Sequence, residues 1–180
     1  MIWFWLFILY SFAGYGLEKL FAAATASPQR VRKCFLLLPL CPVYGLGMLA
    51  VLALPERVTD TGWKLGIYGA LAVTAVEFAV HWLYEKLLGV RFWDYSPVKG
   101  DVAGRVCLPF SVVWGVLVVL TVRFIHPWVA ALALLVPRWL SYAMLPVLTA
   151  DAFFSALVLR RSGDVSLMGW ENLRQNLQEE

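Results

Sequence analysis

Five apolar stretches, each close to 20 residues and nearly free of charge, constrain this chain more than any motif it carries. A helix needs roughly 20 apolar residues to cross a hydrocarbon core about 30 Å thick. The stretches run over about 2–24, 34–54, 65–88, 106–125 and 139–159. They lack the two-residue alternation of a membrane β-barrel, so helices are the expected spanning elements. Composition agrees: 61% of the 180 residues are apolar and 15% are charged, against about a quarter charged in a soluble domain. Mean hydropathy is +0.72. So little polar surface excludes a soluble globular fold, a disordered chain and a disulfide scaffold. The expected fold class is all-α, a polytopic transmembrane helical bundle of about five spans. It forms a single domain over 1–160, with a polar cytoplasmic tail over 161–180.

Prolines punctuate this pattern. Pro39 and Pro42 fall inside the second stretch and are expected to distort it. The run from His126 to Leu159 is too long for one straight span, at about 1.5 Å per residue. Pro137-Arg138 is expected to divide it into a short re-entrant or interfacial helix over 127–136 and a final span. The small residues from Ala22 to Ala26 could end a secretory signal, but no basic region precedes the apolar run and Glu18-Lys19 interrupts it. A retained first span is expected.

Charge distribution orients the bundle. With five spans, Arg30, Arg32, Lys33, Lys86, Arg91, Lys99, Arg105, Arg160, Arg161 and Arg174 share one side, and Arg57, Lys64, Arg123 and Arg138 the other. The richer side is cytoplasmic by the positive-inside rule, which puts the N-terminus outside and the C-terminus in the cytoplasm of a plasma-membrane protein. A net charge of +3 does not point to nucleic acid. Cys34, Cys41 and Cys107 are an odd count with no CxxC pair, so they read as small packing residues.

The informative charges are those inside the spans. Acids at the bilayer centre cost about 2.5–3.5 kcal/mol on insertion scales, which makes Glu18, Glu77, Glu85 and Asp151 candidates for function. Glu77, His81 and Glu85 recur every four residues and stay within an arc of about 80° over roughly 12 Å. One polar pocket opening toward the cytoplasm accounts for these positions together with Tyr44. Plainer readings stand beside it: Glu85-Lys86 and Glu18-Lys19 as interfacial pairs, and His81 as a packing residue hydrogen-bonded to a neighbour. Acids eight residues apart cannot share an ion without a kink, so no metal is assigned.

The connection over 89–105 carries Phe92, Trp93 and Tyr95 within four residues, with Asp94 and Arg105 able to pair. Three aromatics so close together favour a structured loop over the cytoplasmic mouth rather than a plain turn. A parallel repeat is also visible. Leu17-Glu18-Lys19-Leu20 and Tyr84-Glu85-Lys86-Leu87 each precede a basic loop, a cysteine and an aromatic-glycine pair, Tyr44-Gly45 and Trp114-Gly115. Two-fold packing of such hairpins brings Glu18 and Glu85 to similar depth.

Several strings together, Tyr10-Ser11-Phe12, Pro39-Leu40-Cys41-Pro42-Val43-Tyr44-Gly45, Glu85-Lys86-Leu87, Arg91-Phe92-Trp93-Asp94-Tyr95-Ser96, Gly104-Arg105-Val106-Cys107 and Phe110 to Gly115, resemble the ABC-transporter type IV (CmpB-like) family of small membrane permeases. The resemblance covers about residues 8 to 158. It implies a transport role and places the family's polar positions on Glu18, Tyr44, Glu77, Glu85, Asp94, Arg105 and Asp151. His81 stands outside that pattern.

Three classes of function stay open. The first is a permease component whose acid-lined pocket takes a small, cationic or amphiphilic solute; the pocket residues are Glu18, Tyr44, Glu77, His81, Glu85, Asp94, Tyr95, Arg105 and Asp151. The chain has no GxxxxGK[ST] phosphate loop, so any ATPase is a separate partner, with the 89–105 loop as its dock. The second is an intramembrane enzyme acting on a lipid or lipid-linked substrate, with acids, Arg105, Tyr95 and His81 as acid–base and oxyanion groups. No Ser-His-Asp order or HExxH motif names its reaction or a catalytic residue. The third is a non-catalytic membrane scaffold. No cofactor is expected. The expected partners are membrane lipids, the ATPase and further copies of the chain, since five spans make a thin bundle.

Overall fold

The computed structural model of the protein describes residues 1–24 and 34–168. Arg30, Arg32 and Lys33 of the first loop, Arg174 of the tail and the end of the small-residue run at Thr25-Ala26 lie outside the described residues.

The all-α bundle is found: four long apolar helices and a shorter one. Helix α1 is Ile2–Ala24, α2 is Pro42–Leu52 and α3 is Gly62–Leu88. A two-stranded hairpin, β1 Asp101–Val102 and β2 Val106–Cys107, leads into α4, Leu108–Leu120. Helix α5, His126–Leu135, and helix α6, Arg138–Ser162, complete the bundle. Glycines in the left-handed conformation end two of the helices. Gly89 (φ 71°) donates its N–H to the Glu85 carbonyl, and Gly163 (φ 67°) to that of Leu159.

Two boundaries differ from the sequence expectation, and proline chemistry explains both. The short helix expected over 127–136 is present as α5, but it continues α4 through a π-turn at Thr121–Ile125, so Leu108–Leu135 runs as one 28-residue apolar helix. Pro127 lacks an N–H and its ring would strike the Arg123 carbonyl in a regular α-helix. The π-turn inserts one residue, and the His126 N–H reaches back to the Thr121 carbonyl instead. The true break lies at Val136 (ψ 124°), extended ahead of Pro137 as a residue before proline tends to be.

The second stretch is only half helical. Residues 34–41 run without helix, because Pro39 and Pro42 remove N–H donors and push Leu38 and Cys41 out of the helical region. Non-helical backbone at membrane depth survives where protein satisfies its polar groups. Here the Leu40 N–H reaches the Leu38 carbonyl (2.7 Å) and the Cys41 N–H reaches the Ser11 carbonyl of α1 (2.8 Å). The Leu37 and Leu38 N–H groups donate to the two oxygens of Asp151 on α6, each at 3.0 Å.

Trp5, Leu6, Ile8 and Tyr10 of α1 pack with Leu36, Leu40 and Ala133 as the main core. Two polar contacts join α1 to the C-terminal helices, a buried one from the Trp5 indole N–H to Ser141 Oγ (2.7 Å) and a partly buried one between Tyr10 Oη and His126 Nδ1 (2.9 Å). A second cluster, Val51, Leu65 and Val118, holds α2, α3 and α4 together. The α3–α4 approach is close: a Cβ on Gly115 would stand 2.9 Å from the Gly66 carbonyl oxygen. Cys34, Cys41 and Cys107 form no disulfide among the described residues, and all three are buried. The first residues beyond α6 are not simply a solvated tail, since Met168 is buried against Val90, Phe92 and Leu159.

Candidate functional site

Glu77 lies a little past the middle of α3 and is only 6% exposed. The Tyr95 hydroxyl donates to one of its oxygens and the Trp114 indole N–H to the other, both at 3.0 Å. Glu18, near the end of α1, accepts a 2.7 Å hydrogen bond from the Tyr44 hydroxyl. The Tyr44 and Trp114 rings meet edge to face with centroids 5.6 Å apart, which joins the two acid–aromatic pairs into one group. Glu18 is within electrostatic reach of Glu77. Among the described residues neither acid has an ion-pair partner; every donor on them is neutral.

The backbone is shaped to allow this meeting. Gly14 leaves room for the Tyr44 ring, because any Cβ there would overlap the ring's first carbons. Gly45 does the same for Ser11 and Phe7, so α2 lies against α1 and sets the Tyr44 hydroxyl on Glu18. Gly115 plays the equivalent part between α4 and α3, setting Trp114 on Glu77.

The 89–105 connection is a structured loop, as its aromatics predicted, packed over Glu77 and the end of α3. Trp93 donates its indole N–H to the Arg105 carbonyl (2.9 Å), and the Tyr95 N–H reaches the Gly104 carbonyl (2.8 Å). Tyr95 also packs on Phe110 of α4, with centroids 5.0 Å apart. Burial, and then the charge of Glu77, pushes its hydroxyl well above the usual phenol range, so it stays a donor. His81, one turn after Glu77, is 2% exposed, and its Nε2 is 2.9 Å from the Trp93 carbonyl oxygen. A carbonyl only accepts, so Nε2 carries the hydrogen.

Glu85 and Asp94 sit differently from the expectation. Glu85 pairs with Arg105 (2.7 Å) and with Arg91, which pins the cover to the end of α3. The Arg105 guanidinium also lies 5.2 Å from the Phe78 ring centroid. Arg105 is thus taken by Glu85, not Asp94. Asp94 is exposed and caps its own loop by accepting from the Ser96 hydroxyl (2.5 Å) and N–H (2.9 Å), donors that hold its carboxyl below the usual range. The acid within electrostatic reach of Glu18 is accordingly Glu77, about two turns earlier on α3 than the Glu85 that the repeat pairing selected. Asp151 engages the 34–41 segment and Ser155, and Tyr44 and Glu77 are not among its described partners.

The structure therefore brings together Glu18, Tyr44, Glu77 and Tyr95, with His81 and Trp93 alongside, and gives Glu85, Arg105 and Asp94 to the cover. Trp114 is the member that reading the site from charges missed. Its trace in the sequence was the Trp114-Gly115 pair that echoes Tyr44-Gly45.

An aromatic-flanked acid pair inside a helical bundle names no reaction by itself, so likeness to other proteins carries the classification. No curated protein and no solved structure is matched by the chain. A family model is matched, over residues 5–158, and those residues include every member of the site above. The protein belongs to the family described as "Putative ABC-transporter type IV".

Proposed function

We propose that the protein is the membrane-embedded permease component of a transport system, with a solute site at Glu77 and Glu18 that opens toward the cytoplasm. The observation that carries this reading is the pair of neighbouring acids whose only described partners are the neutral donors of Tyr95, Trp114 and Tyr44. Buried carboxylates with no counter-cation among the described residues suit a small or amphiphilic solute that brings positive charge. The family description favours transport over intramembrane catalysis. Two hairpins, α1–α2 and α3–α4, each set an aromatic–glycine pair on an acid, which fits a carrier with a site between two similar halves. The richer share of cations on the 89–105 side favours a cytoplasmic position for the cover, where a separate ATPase would dock.

Native mass spectrometry of the full chain, released from lipid nanodiscs, tests this reading. Wild type is expected to retain a small bound cationic molecule that Glu77→Gln loses. Identical bound species in both proteins would refute the assignment of the site.

A further inference from the structure

His81 narrows the ligand. Its Nε2–H is committed to the Trp93 carbonyl, so Nδ1 presents a lone pair. That nitrogen is buried and has no hydrogen-bond partner. Buried acceptors without donors are costly and uncommon, and each asks for an explanation. Glu77 stands one turn before it on the same face of α3, about 6 Å along the axis. Side chains on a helix lean toward its N-terminus, so the His81 ring lies over the turn that begins at Glu77. The same short stretch of the cover serves both residues: Trp93 O takes the His81 Nε2–H, and Tyr95 Oη donates to Glu77.

We infer that Glu77 and His81 bind the ammonium group of a primary or secondary amine, with N–H donors to the carboxylate and to Nδ1. This rests on the cation reading above and specifies its chemistry. A quaternary ammonium ion could answer the charge of Glu77 but has no hydrogen for Nδ1. A metal ion is poorly provided for, since among the described residues no three His, Cys, Asp or Glu side chains group to hold one. The Tyr95 hydroxyl is the neutral donor that an ammonium displaces from Glu77. The Trp93 ring, edge on to His81 at 5.2 Å, and the Tyr95 and Trp114 side chains on Glu77 then flank the apolar part of the amine. Glu18, beyond the Tyr44–Trp114 contact, adds long-range attraction without contacting the ammonium.

Isothermal titration of the full chain in nanodiscs, with n-butylammonium, n-butyltrimethylammonium and sodium as separate probes, tests the inference. Wild type is expected to bind butylammonium about tenfold or more tightly than the trimethyl analogue, the scale of one hydrogen bond to a charged group. Glu77→Gln should abolish binding of both. His81→Gln keeps an N–H near the Nε2 position for Trp93 O but removes the Nδ1 acceptor, and should erase the preference. His81→Asn restores an acceptor near Nδ1 and should recover part of it. Equal binding of the two ammonium probes, or an unchanged preference in a folded, monodisperse His81→Gln protein, overturns the inference while the cation site stands. Binding of no probe by wild type, or binding unaffected by Glu77→Gln, defeats the cation reading and the inference with it.

Discussion

The α3–α4 hairpin satisfies its backbone within two regular helices, whereas the α1–α2 pair is completed by a non-helical stretch that borrows its partners from elsewhere. In the first, small residues bring the helices close and a single carboxylate, Glu77, faces neutral donors. In the second, residues 34–41 run irregularly, and their amide groups lean on Ser11 of α1 and Asp151 of α6. Both arrangements end by placing an aromatic side chain on an acid. The difference lies in what each acid holds: Asp151 accepts from two backbone N–H groups, while Glu77 and Glu18 accept from the neutral side-chain donors of Tyr95, Trp114 and Tyr44.

The largest test of this contrast is Asp151→Ala. It removes the two carboxylate oxygens that accept from the Leu37 and Leu38 N–H groups where water is scarce, and should destabilise the bundle by about 2–4 kcal/mol. Asp151→Asn, which keeps one strong acceptor, should recover about half. Steric-trap or denaturant unfolding in bicelles measures both. An Asp151→Ala protein as stable as wild type would remove the distinction between the two halves.

A smaller loss is expected from Gly115→Ala, which forces a Cβ against the Gly66 carbonyl and spreads α3 from α4. About 1–3 kcal/mol is the usual cost of such overpacking, and the same unfolding assay reads it. Because Trp114 adjoins Gly115, the substitution should also weaken butylammonium binding while leaving the Asp151 contacts intact. Unchanged stability together with unchanged binding would mean that the close α3–α4 approach does not position Trp114.

The smallest effect concerns the cover. Asp94 has its carboxyl held low by the Ser96 hydroxyl and N–H, so the folded state prefers the charged form. Its contribution is fully present above the unfolded value of about 3.9 and is lost as pH falls through the lower folded value. The Ser96 amide resonance should therefore titrate with a midpoint below about 3.9, and Ser96→Ala should move Asp94 back toward that value. A Ser96 midpoint at or above the ordinary aspartate value would show that the cap does not form in solution. The fully exposed position of Asp94 makes this a local loosening, distinct from the global loss expected at Asp151.

Much of this organisation was legible along the chain. The apolar runs located the long helices, Pro137 marked the turn before α6, and three aromatics in the 89–105 stretch announced a structured cover. The spacing of Glu77 and His81 correctly put both on one face. Other features resisted reading because they depend on partners distant in sequence. Pro127 looks like a helix end until the π-turn absorbs it. Glu85 shares the stripe of Glu77, yet Arg91 and Arg105, held by the folded loop, claim it. Trp114 stands in the aromatic–glycine pair, but nothing local tells that its indole N–H reaches Glu77 across the helix pair.

The sequence by itself determined that this is an all-helical membrane bundle, because lipid leaves long uncharged runs no other way to satisfy their backbone. It also determined that a few acids stand inside that bundle, since charges that rare are visible wherever they occur. Which acids meet was decided only by tertiary structure. Helix crossings at Gly14, Gly45 and Gly115, and a loop folded back from residue 89 to 107, set Glu18 within electrostatic reach of Glu77 and give Glu85 and Asp151 other partners. Period and depth are local properties of a helix, but the neighbour across a helix pair depends on how closely two backbones can approach.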